Sequence, residues 1–341
     1  MTTSSFFKKL TVLAGLLGAA CSGSYGQGIH FSQYYNAPLL VNPANTALLP
    51  DASYRVGVNY RQQWASIPVP YTTISGFGEF QLLRGIEGNN WLGIGVAFWD
   101  DKAGAGQLQQ SRGDLFAAYH LQLGDVQMLS LGASVGTVQR KVDFTKFTFD
   151  QQWDGFSFDR DLSSGEPAEI RKTNYLDVGL GLNYALFPNE NFYLKMGVAA
   201  SHLNQPTETF YDTTHRVGLR LTGNVEAVIR ASPTVILTPS VYFTTQQSAW
   251  EALYGSLAQF RIGGDEAAGS FIVGAFHRWN DAAVGVVGYQ WSNLRLTSSY
   301  DYTLSSLKPA TGGRGAFEVS LLYQGTYKKD MRDSKFACPR F

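Results

Sequence analysis

The sequence predicts an all-β fold: a transmembrane antiparallel β-barrel of about 14 strands, of the outer-membrane type. Three observations carry that prediction. Segment after segment alternates apolar residues with polar or tiny ones. These segments are about twice the five or six residues usual for globular strands. An export leader precedes them. Composition agrees, with 16% of 341 residues charged, 14% aromatic and 36 Gly, whereas soluble domains carry roughly 25% charged residues. A formal net charge of zero offers no basic field to nucleic acid.

Residues 1–26 read as a signal peptide. Lys8 and Lys9 form a positive n-region, and Leu10–Ala20 form an apolar run too short to span a bilayer. Ser24 and Gly26 flank a cleavage point before Gln27. Cys21 behind "LGAA" offers a second reading, a lipidated cysteine, although Gly18 stands where a lipobox prefers Leu.

Residues 27–52 form the next unit. The stretch "HFSQYYNAPLLVNPANTALLP" (His30–Pro50) is rich in aromatic and apolar side chains but has neither a helical nor a strand period. Pro38, Pro43 and Pro50 interrupt it. It is expected to lie on the periplasmic side as a plug or docking strap, folded into the lumen or against the rim.

The barrel is assigned to 53–324, with strands over 53–63, 71–83, 91–100, 107–122, 126–140, 173–186, 191–203, 215–231, 233–244, 249–262, 269–278, 283–292, 294–303 and 315–324. In "YLDVGLGLNYAL", Leu176, Val178, Leu180, Leu182, Tyr184 and Leu186 share one face, opposite Asp177, Gly179, Gly181, Asn183 and Ala185. In "WLGIGVAFWD", Leu92, Ile94, Val96 and Phe98 oppose Gly93, Gly95 and Ala97. Side chains on a strand alternate between its faces, so each segment offers one apolar face to lipid. Trp91, Trp99, Tyr175, Tyr184, Trp291, Tyr300, Tyr302 and Tyr323 stand at strand ends, where interfacial girdles form. No later segment has 18 consecutive apolar residues, so crossing falls to strands, which must close to pair every amide.

Connection lengths supply an independent check. Turns after even strands are short, as at Gly124–Asp125, Ser232–Pro233 and Ser292–Asn293, while 141–172 follows an odd strand. Short periplasmic turns and long external loops are the expected asymmetry. Loop 141–172 mixes Phe147, Phe149, Trp153, Phe156 and Phe158 with Asp159, Asp161 and Glu166. That is either a partner-binding surface of aromatic anchors ringed by charge or a self-packed lid over the pore. A calcium site on Asp159, Asp161 and Glu166 lacks the EF-hand spacing. Residues 325–341 form a periplasmic tail containing Cys338, a free thiol if Cys21 leaves with the leader.

Catalytic and cofactor signals are weak. The pairs Gly93/Gly95 and Gly179/Gly181 sit inside alternating strands, with no third Gly opening a helix, so they do not cradle a dinucleotide. Inward small residues (Gly132, Ser134, Gly179, Gly181, Gly218, Thr222) leave room for water or a plug. His30, His120, His202, His215 and His277 have no metal-ligand spacing. His202 and His215 flank one external loop and are expected as solvated loop ends. No GxSxG elbow occurs. The reading assigns no enzyme activity, no cofactor and no metal.

The opening stretch "QGIHFSQYYNAPLLVNPANTALLP", followed by "YRVGVNYRQQWASIPVPYTTISGFGEF", resembles the start of the PorP/SprF family of type IX secretion and gliding-motility outer-membrane proteins. The loop segment "FDRDLSSGE" and the terminal "CPRF" are similar to the family's as well. By position, His30, Phe31, Ser32, Gln33, Tyr34, Asn36, Pro38, Asn42 and Pro43 match the N-terminal motif. Cys338, Pro339, Arg340 and Phe341 match the C-terminal one. The resemblance implies a non-enzymatic barrel of the Gram-negative cell outer membrane. It implies a barrel that helps secrete specific cargo bearing a type IX sorting domain and anchors it at the surface, with a periplasmic peptidoglycan-associated partner. The alternative is an outer-membrane channel or transporter for small solutes.

Overall fold

The computed structural model describes residues 30–50, 52–65, 70–84, 89–104, 108–159, 161–165, 170–210, 213–262 and 269–327. The readings placed on 1–26, Cys21, Glu166 and Cys338–Phe341 lie outside these residues.

In chain order the strands are β1 (Tyr54–Gln63), β2 (Tyr71–Leu82), β3 (Trp91–Ala103), β4 (Leu108–Gln122), β5 (Gln127–Asp143), β6 (Ile170–Asn189), β7 (Phe192–Ser201), β8 (Thr207–Phe210), β9 (Thr213–Arg216), β10 (Arg220–Ser232), β11 (Val235–Gln246), β12 (Ala249–Arg261), β13 (Ser270–Arg278), β14 (Ala282–Trp291), β15 (Leu294–Thr303) and β16 (Arg314–Gly325). All but β8 and β9 pair with their neighbours as one closed antiparallel barrel of 14 strands, and β16 returns to β1 with Tyr54 opposite Gly325. Closure leaves no unpaired sheet edge along the membrane-crossing part, as hydrocarbon requires.

Alternation sets the two faces. Outward residues form an apolar belt in which Leu115, Leu131, Val198 and Val287 are each more than half exposed, the arrangement suited to lipid. Inward residues are buried and mixed: charged ones such as Arg61, Glu79, Asp114, Asp177, Asp301 and Glu318 stand among polar and apolar ones such as Phe77, Leu253 and Phe276. The same parity corrects part of the girdle. Because Ile94, Val96 and Phe98 face out, Trp91 and Trp99 face in and are buried. Tyr175 shares the inward parity of Asp177. Trp291, Tyr300, Tyr302 and Tyr323 are exposed at the rims as expected.

One strand differs from its sequence reading. The eighth barrel strand begins at Arg220 rather than near 215, because Thr213–Arg216 pairs locally with Thr207–Phe210 in a hairpin. Glu208 of that hairpin ties back to Arg140 of β5 at 2.7 Å. His202 is not a solvated loop end either: it is buried, and its Nδ1 meets Asp177 at 2.8 Å. β5 and β6 continue to Asp143 and from Ile170, so the long connection is narrower than 141–172.

Residues 30–50 fold inside the barrel. Short helical turns at Tyr34–Asn36, Pro38–Val41 and Pro43–Asn45 replace regular structure. Pro38 and Pro43 sit at first helical positions, where the missing N–H is not needed. His30 lies level with Arg61 and Gln63 at the long-connection end, and Leu49 lies level with Gln81 and Arg84 at the short-turn end. The segment therefore runs the length of the lumen, with residues 30–36 in the half towards the long connections.

Candidate functional site: a filled lumen

Three apolar clusters seat the segment. Tyr34 and Val41 pack with Tyr242, Leu253, Phe276 and Val286, and Tyr34 stacks on Tyr242 at 4.9 Å. Leu39 enters between Phe77, Phe116 and Leu322. Leu48 rests on Trp91, Met128 and Phe187. Burying each such side chain stabilises by roughly 1.5–3 kcal/mol. In a barrel whose outer face is apolar, these clusters form an interior core made jointly by inward strand residues and the segment.

Polar contacts fix the segment's position more specifically. The N–H groups of Ser32 and Gln33 donate to the two oxygens of Glu318 at 2.7 and 2.9 Å. Glu318 also pairs with Arg61, its register partner across the β1–β16 closure. Ser32 Oγ donates to Asp301 at 2.7 Å and accepts from Arg61 at 3.0 Å and from Arg278. Gln33 accepts from Thr297 at 2.6 Å and from Asn36 at 2.9 Å. Arg278 reaches Asp301 at 3.2 Å and Asp281 at 3.0 Å. Apart from the partly exposed Asp281, the ionised groups here are buried and paired, the condition under which a low-dielectric interior tolerates them.

Midway, Asn42 does two jobs. Its Oδ1 accepts the Ala44 N–H at 2.9 Å, capping the following turn, while its Nδ2 donates to Asn183 at 3.0 Å. Asn183 donates in turn to Asn45 at 2.9 Å. The wall is cut away to admit this turn: a Cβ at Gly132 would strike the backbone of Pro43 and Ala44, and one at Gly181 would strike the Asn42 side chain.

At the short-turn end the backbone of residues 46–50 is held by side chains. Ala47 N–H donates to Glu79 at 2.7 Å, and Glu79 accepts from Arg55 at 2.6 Å. The Ala47 carbonyl accepts from Trp91 at 2.9 Å and Gln81 at 3.1 Å. His120 Nε2 lies 2.8 Å from the Thr46 carbonyl, so it carries the proton and Nδ1 accepts from Ser130 at 2.7 Å. Among the described residues, no group of three His, Cys, Asp or Glu could hold a metal ion.

The motif residues therefore cluster as follows. His30, Ser32, Gln33 and Asn36 meet the Arg61–Arg278 carboxylate network, Tyr34 the β11–β14 wall, and Asn42 and Pro43 the β5–β7 wall. Phe31 and Pro38 are buried along the same path. Their wall partners were not singled out from sequence. The available signal was charge on inward parity, as at Arg61, Glu79, Asp301 and Glu318. A cavity of about 90 Å³ remains beside the segment, lined by His30, Phe31, Arg112, His202, Arg220 and Tyr242 among others.

The long connection makes a separate, self-ordered knob. Trp153 bridges Phe158, with rings edge to face at 5.0 Å, and Asp154 accepts the N–H groups of Phe156 and Ser157 at 2.6 and 2.7 Å. Those two donors, Ser157 foremost, hold the Asp154 carboxyl below the usual aspartate value. The turn leaves Phe156 93% exposed at its tip. Phe147 and Phe149 approach each other at 6.3 Å. Asp159 accepts the Asp161 N–H at 2.9 Å, so its oxygens serve a turn.

A family model described as type IX secretion system membrane protein PorP/SprF matches residues 23–323. Among solved structures, the chain is similar to the TodX deltaS2S3 mutant monoaromatic hydrocarbon channel, with 10% identity over 91% of this chain and 98% of that one and a TM-score of 0.49. It is similar to a Pseudomonas aeruginosa FadL homologue at 10% identity, covering 83% and 92%, TM-score 0.48. A third is the translocator domain of the autotransporter NalP from Neisseria meningitidis, at 11% identity, covering 86% and 95%, TM-score 0.43. No curated protein sequence matches the chain. The family match spans nearly the whole barrel, and the chain belongs to the PorP/SprF family of type IX secretion system membrane proteins, as a β-barrel of the outer membrane.

Proposed function

We propose that this barrel is a stoppered accessory of type IX secretion and gliding motility that helps export particular cargo and anchors it at the cell surface. The observation that supports it is the seat of residues 30–50: three apolar clusters and charged clamps at both ends fill the lumen a solute would need. In this reading the short turns face the periplasm, where a peptidoglycan-associated protein docks. The knob carrying Phe147, Phe149, Trp153, Phe156, Phe158, Asp159 and Asp161, with Glu166, faces the cargo and its sorting domain. No residue is given a catalytic role.

A solute channel is the second reading, favoured by the cavity beside the segment. The test is gentle solubilisation from the native outer membrane with identification of what co-purifies, together with bilayer conductance of the intact protein and of a variant lacking 27–50. The anchor reading expects an exported protein with a type IX sorting domain, little conductance from the intact barrel and a rise on deletion. A barrel recovered alone that conducts with its segment in place would sink it.

A further inference from the structure

The cations of the barrel strands are divided by face. Arg55, Arg61, Arg112, Arg140, Arg278 and Arg295, and Lys195 paired with Glu226 at 3.3 Å, follow the inward parity of their strands. Lys102 of β3, Lys141 of β5 and Lys172 of β6 have the outward parity shared by Phe98, Val135 and Leu176. These three lysines also fall on one line across four adjacent strands. Register pairs Lys102 with Gln109, Gln109 with Lys141, and Lys141 with Lys172.

The line lies just past the apolar belt on the long-connection side. Descending β5 and β6 together, the outward pairs read Lys141–Lys172, Gln139–Asn174, Thr137–Leu176 and Val135–Val178. Gln139 and Asn174 are hydrogen-bonded at 3.0 Å. Four residues separate Lys172 from Leu176, about 13 Å along a strand and less along the membrane normal once the strands tilt. The headgroup layer is about 5–7 Å deep on each side, and lysine stems bend towards it. The rim on β12–β16 is of another kind, with Tyr254, Trp279, Tyr300, Tyr302 and Phe317 exposed.

Like charges directly opposite on a sheet repel, yet Lys141 and Lys172 are register partners, and among the described residues neither has a carboxylate within 4 Å. Lys102 has Asp100 at 3.8 Å, a carboxylate that also accepts from Gln109 at 2.7 Å and Ser111 at 2.5 Å and offsets one of the three cations, so the unrelieved repulsion is between Lys141 and Lys172. Asp143, next along β5, accepts from Thr145 at 2.5 Å. Repulsion of this kind is relieved by an anion with several oxygens lying against the row from outside. On this face, at this height, the molecules that present one are the lipids.

We infer that Lys102, Lys141 and Lys172, with Gln109 between them, bind the phosphate of a phosphorylated lipid headgroup in the leaflet on the long-connection side. The lipid's chains then lie against Leu176, Val135 and Val96 of the belt. This site stands apart from the anchor reading and survives its failure.

The test uses the full chain in nanodiscs, with lipid A carrying its phosphates, the same lipid dephosphorylated, and inorganic phosphate as probes, and native mass spectrometry as readout. Retention of phosphorylated lipid A, about one per barrel, over the dephosphorylated form is expected. Each near-surface lysine contributes roughly a fivefold factor, so the triple variant K102Q/K141Q/K172Q weakens retention on the order of a hundredfold. The triple Lys→Arg variant, which keeps the charge, should retain the lipid. It also guards against reading a folding defect as lost binding. Equal retention of both lipid forms, unchanged retention in the glutamine variant, or displacement by inorganic phosphate at lipid concentrations would each overturn the assignment.

Discussion

The backbone N–H of Ser32 donates to the carboxylate of Glu318 at 2.7 Å, across almost the whole length of the chain. A carboxylate that serves two successive amides and an arginine is a clamp with no neutral substitute. Glu318→Gln keeps the shape but leaves Arg61 buried without its closest counter-charge. Removing one partner of a buried pair costs about 3–5 kcal/mol. Unfolding in detergent should register a loss of that order, and a loss below about 1 kcal/mol would mean that the pair is effectively solvated.

Gly132→Val should expel the central turn while leaving the barrel closed. The new side chain occupies the place of the Pro43 carbonyl, and overpacking of this kind costs about 1–3 kcal/mol. A reporter cysteine at Ala44 should become reactive to a membrane-impermeant maleimide. Gly113→Val, where a Cβ meets nothing within 4 Å, is the control and should leave Ala44→Cys protected. Equal labelling in both variants would refute the close-contact account.

Leu115→Arg tests the belt. At 61% exposure on the outward face, it places a charge in hydrocarbon, which costs about 2–4 kcal/mol near the bilayer midplane. Leu162→Arg in the knob should change stability by less than about 0.5 kcal/mol. Equal effects in a lipid-bilayer unfolding assay would show that Leu115 does not face lipid.

Asp154 sets a pH limit on the knob. Its carboxyl is held below the ordinary aspartate value of about 3.9 by the Ser157 and Phe156 amides. A depressed acid stabilises fully above its unfolded pKa and loses that stabilisation as pH falls through the folded one. Fluorescence of Trp153, read against a W153F background, should stay constant from neutral pH to about 4 and change only below. Asp154→Asn should abolish that transition, and a transition near pH 6 would exclude Asp154 as its source.

Much of the barrel was legible because its signal is local. The Leu176–Leu186 alternation needs no partner to be read, and strand bounds inferred that way fall within a few residues of β5, β6 and β11–β16. Thr213–Arg216 misled because alternation also suits a small hairpin, and only its pairing with Thr207–Phe210 separates the two. Trp91 and Trp99 misled because position at a strand end was weighed before parity. The filled lumen was legible by halves. An aromatic, proline-broken segment announces that something must receive it, whereas Glu318, Asp301, Asn183 and Glu79 become its receivers only through barrel register, and no local pattern encodes that.

Glu318 and Arg61 face each other across the pair of strands that turns a curved sheet into a closed ring. Ser32 and Gln33 are bound to that same pair from within. Segment and seam therefore share their last contacts, and a ring already zipped would require some twenty residues with bulky rings and prolines to be threaded through its bore. The order of assembly this predicts has the N-terminal segment laid in before β16 is drawn to β1 over it. Pulsed hydrogen exchange during refolding should show the Ser32 and Gln33 amides gaining protection together with those of the β1–β16 ladder. Protection of the ladder long before those two amides would reverse the order.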